Sequence, residues 1–174
     1  APGAGFVTEA SPVSTALSYL PALKNHPEIY HIQEFVISYG IVRTEEALQA
    51  VSFKGVGLTY KWDFFEKHLT EGRLPVLTDT ISSSEVLVSQ RLSSMLGIGL
   101  EDVVTMYFIG NNVRMRRFVV CGIYDAQLED VDNHLVIGDI RHAQRLNGWR
   151  EDQVSGMELF LKDKDRPDTR LEEI

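Results

Sequence analysis

The chain of 174 residues carries 17 Lys+Arg against 25 Asp+Glu, a net charge of −8, with 44% hydrophobic residues and one cysteine. That apolar content supplies one compact core, too little for two large independent domains, and excludes a disordered tail. A pI near 5.1 excludes a nucleic-acid binder, whose affinity rests on concentrated Lys and Arg displacing counterions from phosphate. No window approaches the roughly 20 apolar residues that span a bilayer, and Ala1-Pro2-Gly3 has neither the charged n-region nor the apolar h-region of a signal peptide.

From the N-terminus, Ser11 as N-cap and Pro12 at the first helical position introduce Val13, Ala16, Leu17, Leu20 and Leu23 at helical spacing, which predicts a helix over 11–25 stopped by Pro27. Residues 29–42 read as a strand, with Phe35, Ile37, Tyr39 and Ile41 on one face and Glu34, Ser38 and Gly40 on the other. A turn at Thr44-Glu45-Glu46 leads to a pairing strand over 47–56, ended by Gly55 and Gly57. Trp62, Phe65 and Leu69 then share the face of a helix that closes at Glu71-Gly72. The stretch 73–84, with Pro75, Asp79 and three consecutive serines, is a loop and the best internal boundary.

Beyond it, 85–88 is a short strand, and Ser89 caps a helix burying Leu92, Met95 and Leu96 before Gly97. Runs 103–108 and 113–124 flank Gly110-Asn111-Asn112, a hairpin signal because Gly and Asn accept positive φ. Arg114, Arg116 and Arg117 are surface charge on the second run, with Arg117 facing opposite to its neighbours. An acidic loop at 125–133, a strand at 135–137, a helix at 140–146 and a strand at 157–161 follow. Pro167-Asp168-Thr169 with Glu172 predicts a capped helix start. Strands and helices mix without strict alternation, so the class is α+β.

The chain lacks a Gly-x-Ser-x-Gly elbow, His-Glu-x-x-His, Cys-x-x-Cys, Gly-x-x-x-x-Gly-Lys and Gly-x-Gly-x-x-Gly. Asp125, Glu129, Asp130 and Asp132, with His134 behind them, lack the turn glycine and final bidentate Glu of a calcium loop and read as solvated charge. His26, His31, His68 and His142 are scattered, and Cys121 in an apolar run reads as a buried thiol. No catalytic, cofactor or metal residue is therefore assigned. Tyr60, Trp62, Phe64 and Phe65 crowd one segment, and a narrow helical stripe cannot bury both phenylalanines. Tyr60, Trp62 and Phe64 are the candidate partner contacts, since large aromatics anchor interfaces.

The succession Glu85-Val86-Leu87-Val88-Ser89, Leu92 to Leu96-Gly97-Ile98, Asp102-Val103-Val104 and Arg117-Phe118-Val119-Val120-Cys121-Gly122-Ile123-Tyr124 resembles the extracytoplasmic core domain of ABC-transporter permeases of the FtsX, MacB and LolC/LolE type. The spacing continues through Glu129-Asp130-Val131-Asp132, Leu135-Val136-Ile137 and Asp139-Ile140-Arg141-His142-Ala143-Gln144-Arg145-Leu146. Upstream, Gly55-Val56-Gly57, Phe64-Phe65 and Glu71-Gly72-Arg73-Leu74-Pro75 fit the same order, so the match spans about Ser14 to Asp163 and looks closest to the lipoprotein-releasing LolC/LolE branch. Glu101 stands where that family often has Gly, and no long extra hairpin is assignable as a chaperone-binding hook.

The resemblance implies a MacB-like periplasmic core domain with two small mixed α/β lobes, here 11–72 plus 151–174 and 76–150, inserted between the first and second transmembrane helices of a four-helix permease. It implies that the domain continues past 174 through a further helix and strand. It also implies a second permease subunit and a cytoplasmic ATPase subunit that binds the ATP, so that the domain needs no cofactor or catalysis of its own. The domain would relay ATP-driven motion across the membrane and engage a lipoprotein or envelope partner. Two other readings compete: a free-standing module binding a peptide or lipid near Trp62, and a hydrolase around Asp130, Asp132 and His134.

Overall fold

The computed structural model describes residues 11–16, 20–162 and 170–173. Among these residues eleven strands and five short helices follow in the order β1 (Val13–Ser14), α1 (Leu20–Lys24), β2 (Ile29–Arg43), β3 (Leu48–Val56), α2 (Asp63–His68), β4 (Leu69–Gly72), β5 (Glu85–Ser89), α3 (Gln90–Leu96), β6 (Val103–Ile109), β7 (Val113–Tyr124), α4 (Glu129–Asp132), β8 (Leu135–Asp139), α5 (Ile140–Asn147), β9 (Gln153–Val154), β10 (Gly156–Leu161) and β11 (Arg170–Glu173). The architecture is α+β.

The nine-stranded sheet closes on itself. β2 pairs β3, β3 pairs β8, β8 touches β5 through Leu87 and Ile137, β5 pairs β7, β7 pairs β6, and β6 returns to β2 at residues 40–42. The ring mixes parallel and antiparallel pairs. β10 and β11 extend it from the N-terminal half of β2, and β4 extends it from β7. Segments before Gly72 and after Pro75 are thereby joined in one sheet.

Two apolar clusters lie on opposite faces. Val36, Val42, Val51, Phe53, Val86, Phe118 and Val136 belong to the inner one, which also takes Leu92 and Leu96 of α3 and Ala143 of α5. Leu87, Cys121, Tyr124, Ile137 and Val56 turn outward and are covered by Phe65 and the half-buried Tyr60 and Trp62. Alternation along each strand sends neighbouring residues to different clusters. A bulge after Val120 shifts the register, so that Gly122 rather than Cys121 faces Leu87.

β2 alternates as its sequence predicts, and the face that carries Ser38 and Gly40 is the one turned inward. Val36, Ser38, Gly40 and Val42 are buried, whereas Tyr39 is half exposed. Small inner residues are required because other groups approach closely. Ser38 Oγ donates to Asn147 Oδ1 at 2.8 Å, and a Cβ on Gly40 would lie 3.0 Å from the Phe108 ring. Gly55 on β3 serves the same end, since a Cβ there would sit 2.7 Å from the backbone of Ile140 in α5.

Five expectations are corrected. The helix over 11–25 is replaced by β1, which pairs β9, and by the short α1. Pro21 would remove a hydrogen bond inside the longer helix but sits in the first turn of α1, where its missing N–H is not needed; Leu17 lies outside the described residues. The helix ending at Glu71-Gly72 stops at His68, because residues 69–72 add as an antiparallel strand to the edge of β7. Gly72 is left-handed, at φ 73°, as a strand end rather than a helix cap.

Residues 170–173 pair with β10 as a strand and do not start a helix, while Pro167, Asp168 and Thr169 lie outside the described residues. The hairpin at Gly110 forms in the expected register, Ile109 opposite Val113, but Gly110, Asn111 and Asn112 are not among the positive-φ residues. Met95 is exposed, Leu92 and Leu96 alone taking the inward stripe of α3.

The caps of α3 match their sequence signals: Ser89 Oγ accepts from Leu92 N at 3.0 Å, and Gly97 is left-handed at φ 65°.

Candidate functional site

The aromatic segment lies on the outer face of the sheet. Tyr60 and Trp62 meet edge to face at 4.7 Å and pack half-buried onto the outer cluster. Phe65 is buried against Tyr124 at 5.0 Å. Phe64, on the opposite side of α2, is 40% exposed and stacks on His68 at 4.4 Å, whose Nδ1–H donates to the Phe64 carbonyl at 2.7 Å. The structure therefore places all three candidate contacts in one segment but gives only Phe64 a largely open ring.

Beside them is a polar group that the sequence reading missed. Glu158 on β10 is 2% exposed and forms an ion pair with Lys54 of β3. Gln33 of β2 donates from Nε2 to Glu158 Oε2 at 2.8 Å, and its Oε1 accepts from the Lys61 backbone N–H at 2.8 Å. Lys54 Nζ also lies 5.0 Å from the Phe35 ring centroid and 5.9 Å from that of Tyr60. Burial, with the Glu158 charge adding to it, pushes the Tyr60 hydroxyl well above its ordinary range. The signal was a single charge in each of two apolar strand runs, Phe53-Lys54-Gly55 and Met157-Glu158-Leu159. Such a charge is retained inside only when paired.

The acidic loop does not converge on a ligand. Asp132 turns inward and accepts from the Ala126 N–H at 2.9 Å and the Leu128 N–H at 3.3 Å, while Glu129, Asp130 and His134 are exposed. Among the described residues no three of His, Cys, Asp and Glu are grouped to hold a metal ion. Cys121 is buried, its Sγ–H donates to the Val86 carbonyl at 3.4 Å, and burial pushes the thiol up to about 12.

His142 of α5 donates from Nε2 to the Ser83 carbonyl at 2.8 Å, and its buried Nδ1 has no partner among the described residues. Desolvation lowers its pKa. Asp139 caps α5 by accepting from Arg141 N and also accepts from Ser83 N at 2.8 Å, so the serine loop is tied to the start of this helix. Arg73, at the end of the Glu71-Gly72-Arg73 run, forms a two-pronged pair with Glu85, which holds that carboxyl below its usual range.

The fold is that of the extracytoplasmic regions of two transporters. The extracellular domain of the noncanonical ABC-type transporter YknZ from Gram-positive bacteria superposes with a TM-score of 0.60 at 14% identity, over 88% of this chain and 75% of that one. The periplasmic region of MacB from Actinobacillus actinomycetemcomitans gives a TM-score of 0.54 at 17% identity, over 83% of this chain and 63% of that one. This chain thus spans three quarters of the first domain and less than two thirds of the second. No family model and no curated protein matches the sequence.

Proposed function

We propose that the chain is an extracytoplasmic domain of an ABC-transporter permease, which relays motion driven by ATP hydrolysis on the opposite side of the membrane. The observation that carries this reading is the fold shared with the YknZ and MacB domains over more than four fifths of the chain. In it the domain works as a mechanical element: a closed sheet with α3 and α5 packed on one of its faces transmits force without a reacting group, cofactor or metal of its own. Its partners are a second permease subunit and a cytoplasmic ATPase subunit. Its place is the extracytoplasmic face of the membrane. The lipoprotein-releasing LolC/LolE branch is the finer proposal, supported by the ordered sequence match from Ser14 to Asp163.

Within this reading, Tyr60, Trp62 and Phe64 touch an envelope partner or lipoprotein cargo, with Phe64 the exposed member. The parent reading frame supplies a first test. It is expected to encode one apolar span before Ala1 and three after Ile174, and a parent without such spans contradicts the proposal. The second test is to replace Phe64 with Ala in the full-length permease co-expressed with its ATPase. Transport or release falls while ATPase assembly is retained; unchanged transport removes the contact assignment but not the permease reading.

A further inference from the structure

The β6–β7 hairpin differs in charge from the rest of the molecule. From Val103 to Tyr124 the sequence holds Arg114, Arg116 and Arg117 and no Asp or Glu, in a chain whose net charge is −8. Its outer face is apolar toward the tip. Ile109 and Val113 are opposite one another and 67% and 68% exposed, and the next outward rung is Tyr107 with Met115, at 37% and 47%. Thr105 with Arg117 forms the rung behind that. Arg114 and Arg116 leave by the other face, where Arg114 Nη1 donates to the Arg145 carbonyl at 2.6 Å.

The apolar surface continues sideways onto β2, because Ile41 is the partner of Tyr107, and Tyr39 next to it is half exposed. A groove of about 920 Å³ beside the tip runs between β2, the turn and the end of α5. Among the described residues Arg114 is its charged lining residue, and no carboxylate lines it.

We propose that this hairpin, with the adjoining outer face of β2, is a peripheral docking surface for an anionic lipid bilayer. The order of chemistry along the hairpin supports a lipid surface over a flat protein face. An uncharged turn and two aliphatic side chains lead, an aromatic hydroxyl follows, and the Arg117 guanidinium comes last, about 14 Å behind the tip at the rise of an antiparallel strand. That sequence matches the passage from acyl boundary through interface to lipid phosphate. Arg and Tyr both lay an apolar stem against lipid while the polar end stays in water. A second copy of the chain docked through the same face would set the arginines of one against those of the other. The proposal goes beyond the permease reading and rests on the hairpin and the adjoining face of β2.

The test is co-sedimentation of the 174-residue chain with vesicles of phosphatidylglycerol and phosphatidylethanolamine in equal parts, beside vesicles of phosphatidylcholine alone. The chain is expected to pellet with the anionic vesicles and to be released by raised salt. Arg117→Gln weakens binding about fivefold. Val113→Asp weakens it about tenfold or more, because a carboxylate enters the apolar tip. Residues 107–115 of the unaltered chain should also exchange amide hydrogens more slowly on the vesicles, a readout that needs no variant. Failure to pellet, equal pelleting with phosphatidylcholine, or full binding by both variants overturns the proposal. So does slowed exchange at 107–115 with polyglutamate but not with vesicles, which would assign the face to an acidic protein.

Discussion

Glu101 has a left-handed backbone, φ 66°, a conformation that costs a residue with a Cβ roughly 1 kcal/mol and glycine almost nothing. Its N–H donates to the Val120 carbonyl at 2.8 Å, which glycine would preserve, and its side chain is exposed. Glu101→Gly should therefore raise unfolding stability by about 1 kcal/mol in urea titration; a loss would mean that the side chain contributes something beyond the backbone. Lys54 and Glu158 work the other way. Lys54→Met leaves the Glu158 carboxylate buried with Gln33 alone, and should cost about 3 kcal/mol, while Lys54→Met combined with Glu158→Leu should recover much of the loss. Urea unfolding of the two single variants and the double variant checks this, and additive losses would contradict it. His142 carries a pH dependence. Its folded pKa is lowered, so the native state favours the neutral ring. The associated stability is complete above the ordinary histidine value of about 6.5 and declines as pH falls from there toward the folded value. Unfolding measured across that interval should show a slope that His142→Gln flattens.

At the scale of elements, local chemistry was legible where one residue decides an end. Ser89 and Gly97 bound α3, Asp139 starts α5, and the turn at 44–47 joins β2 to β3. It was illegible where an end depends on a distant partner. Residues 69–72 have helical neighbours but are drawn into a strand by the free edge of β7, and residues 170–173 are drawn in likewise by β10. Which face of β2 turns inward was illegible for a related reason. Its larger apolar residues point outward, because Ser38 and Gly40 are what the approach of α5 and β6 leaves room for. The same crowding predicts that Gly55→Ala pushes α5 from β3 and destabilises the fold by about 2 kcal/mol. An unchanged melting curve would show that the helix can shift without loss.

Across the whole molecule, the α+β class and the order of most strands followed from turn signals and alternation, and the ordered sequence match pointed to the transporter fold that superposition then showed. Ring closure was not legible, because it rests on the single Leu87 to Ile137 contact and on a three-residue pairing between β2 and β6. Of the candidate contacts, the exposed ring at Phe64 was legible from crowding. The Lys54–Glu158 pair was legible only as two lone charges in apolar strand runs, since their meeting depends on β3 and β10 both flanking β2. Most of the domain's buried polar groups tie strands and loops together, whereas His31 Nε2, Ser82 Oγ and His142 Nδ1 have no partner among the described residues. Its location is the claim on which the functional account turns. Thr80 lies exposed in the serine loop, and Cys121 is buried with a raised pKa, so a cysteine introduced by Thr80→Cys in the full-length parent is the reactive thiol of this domain. In intact spheroplasts, a membrane-impermeant maleimide should label that variant, and the labelled protein should pellet with the membranes. Labelling only after lysis, or a labelled chain that stays in the supernatant, would contradict an extracytoplasmic permease domain.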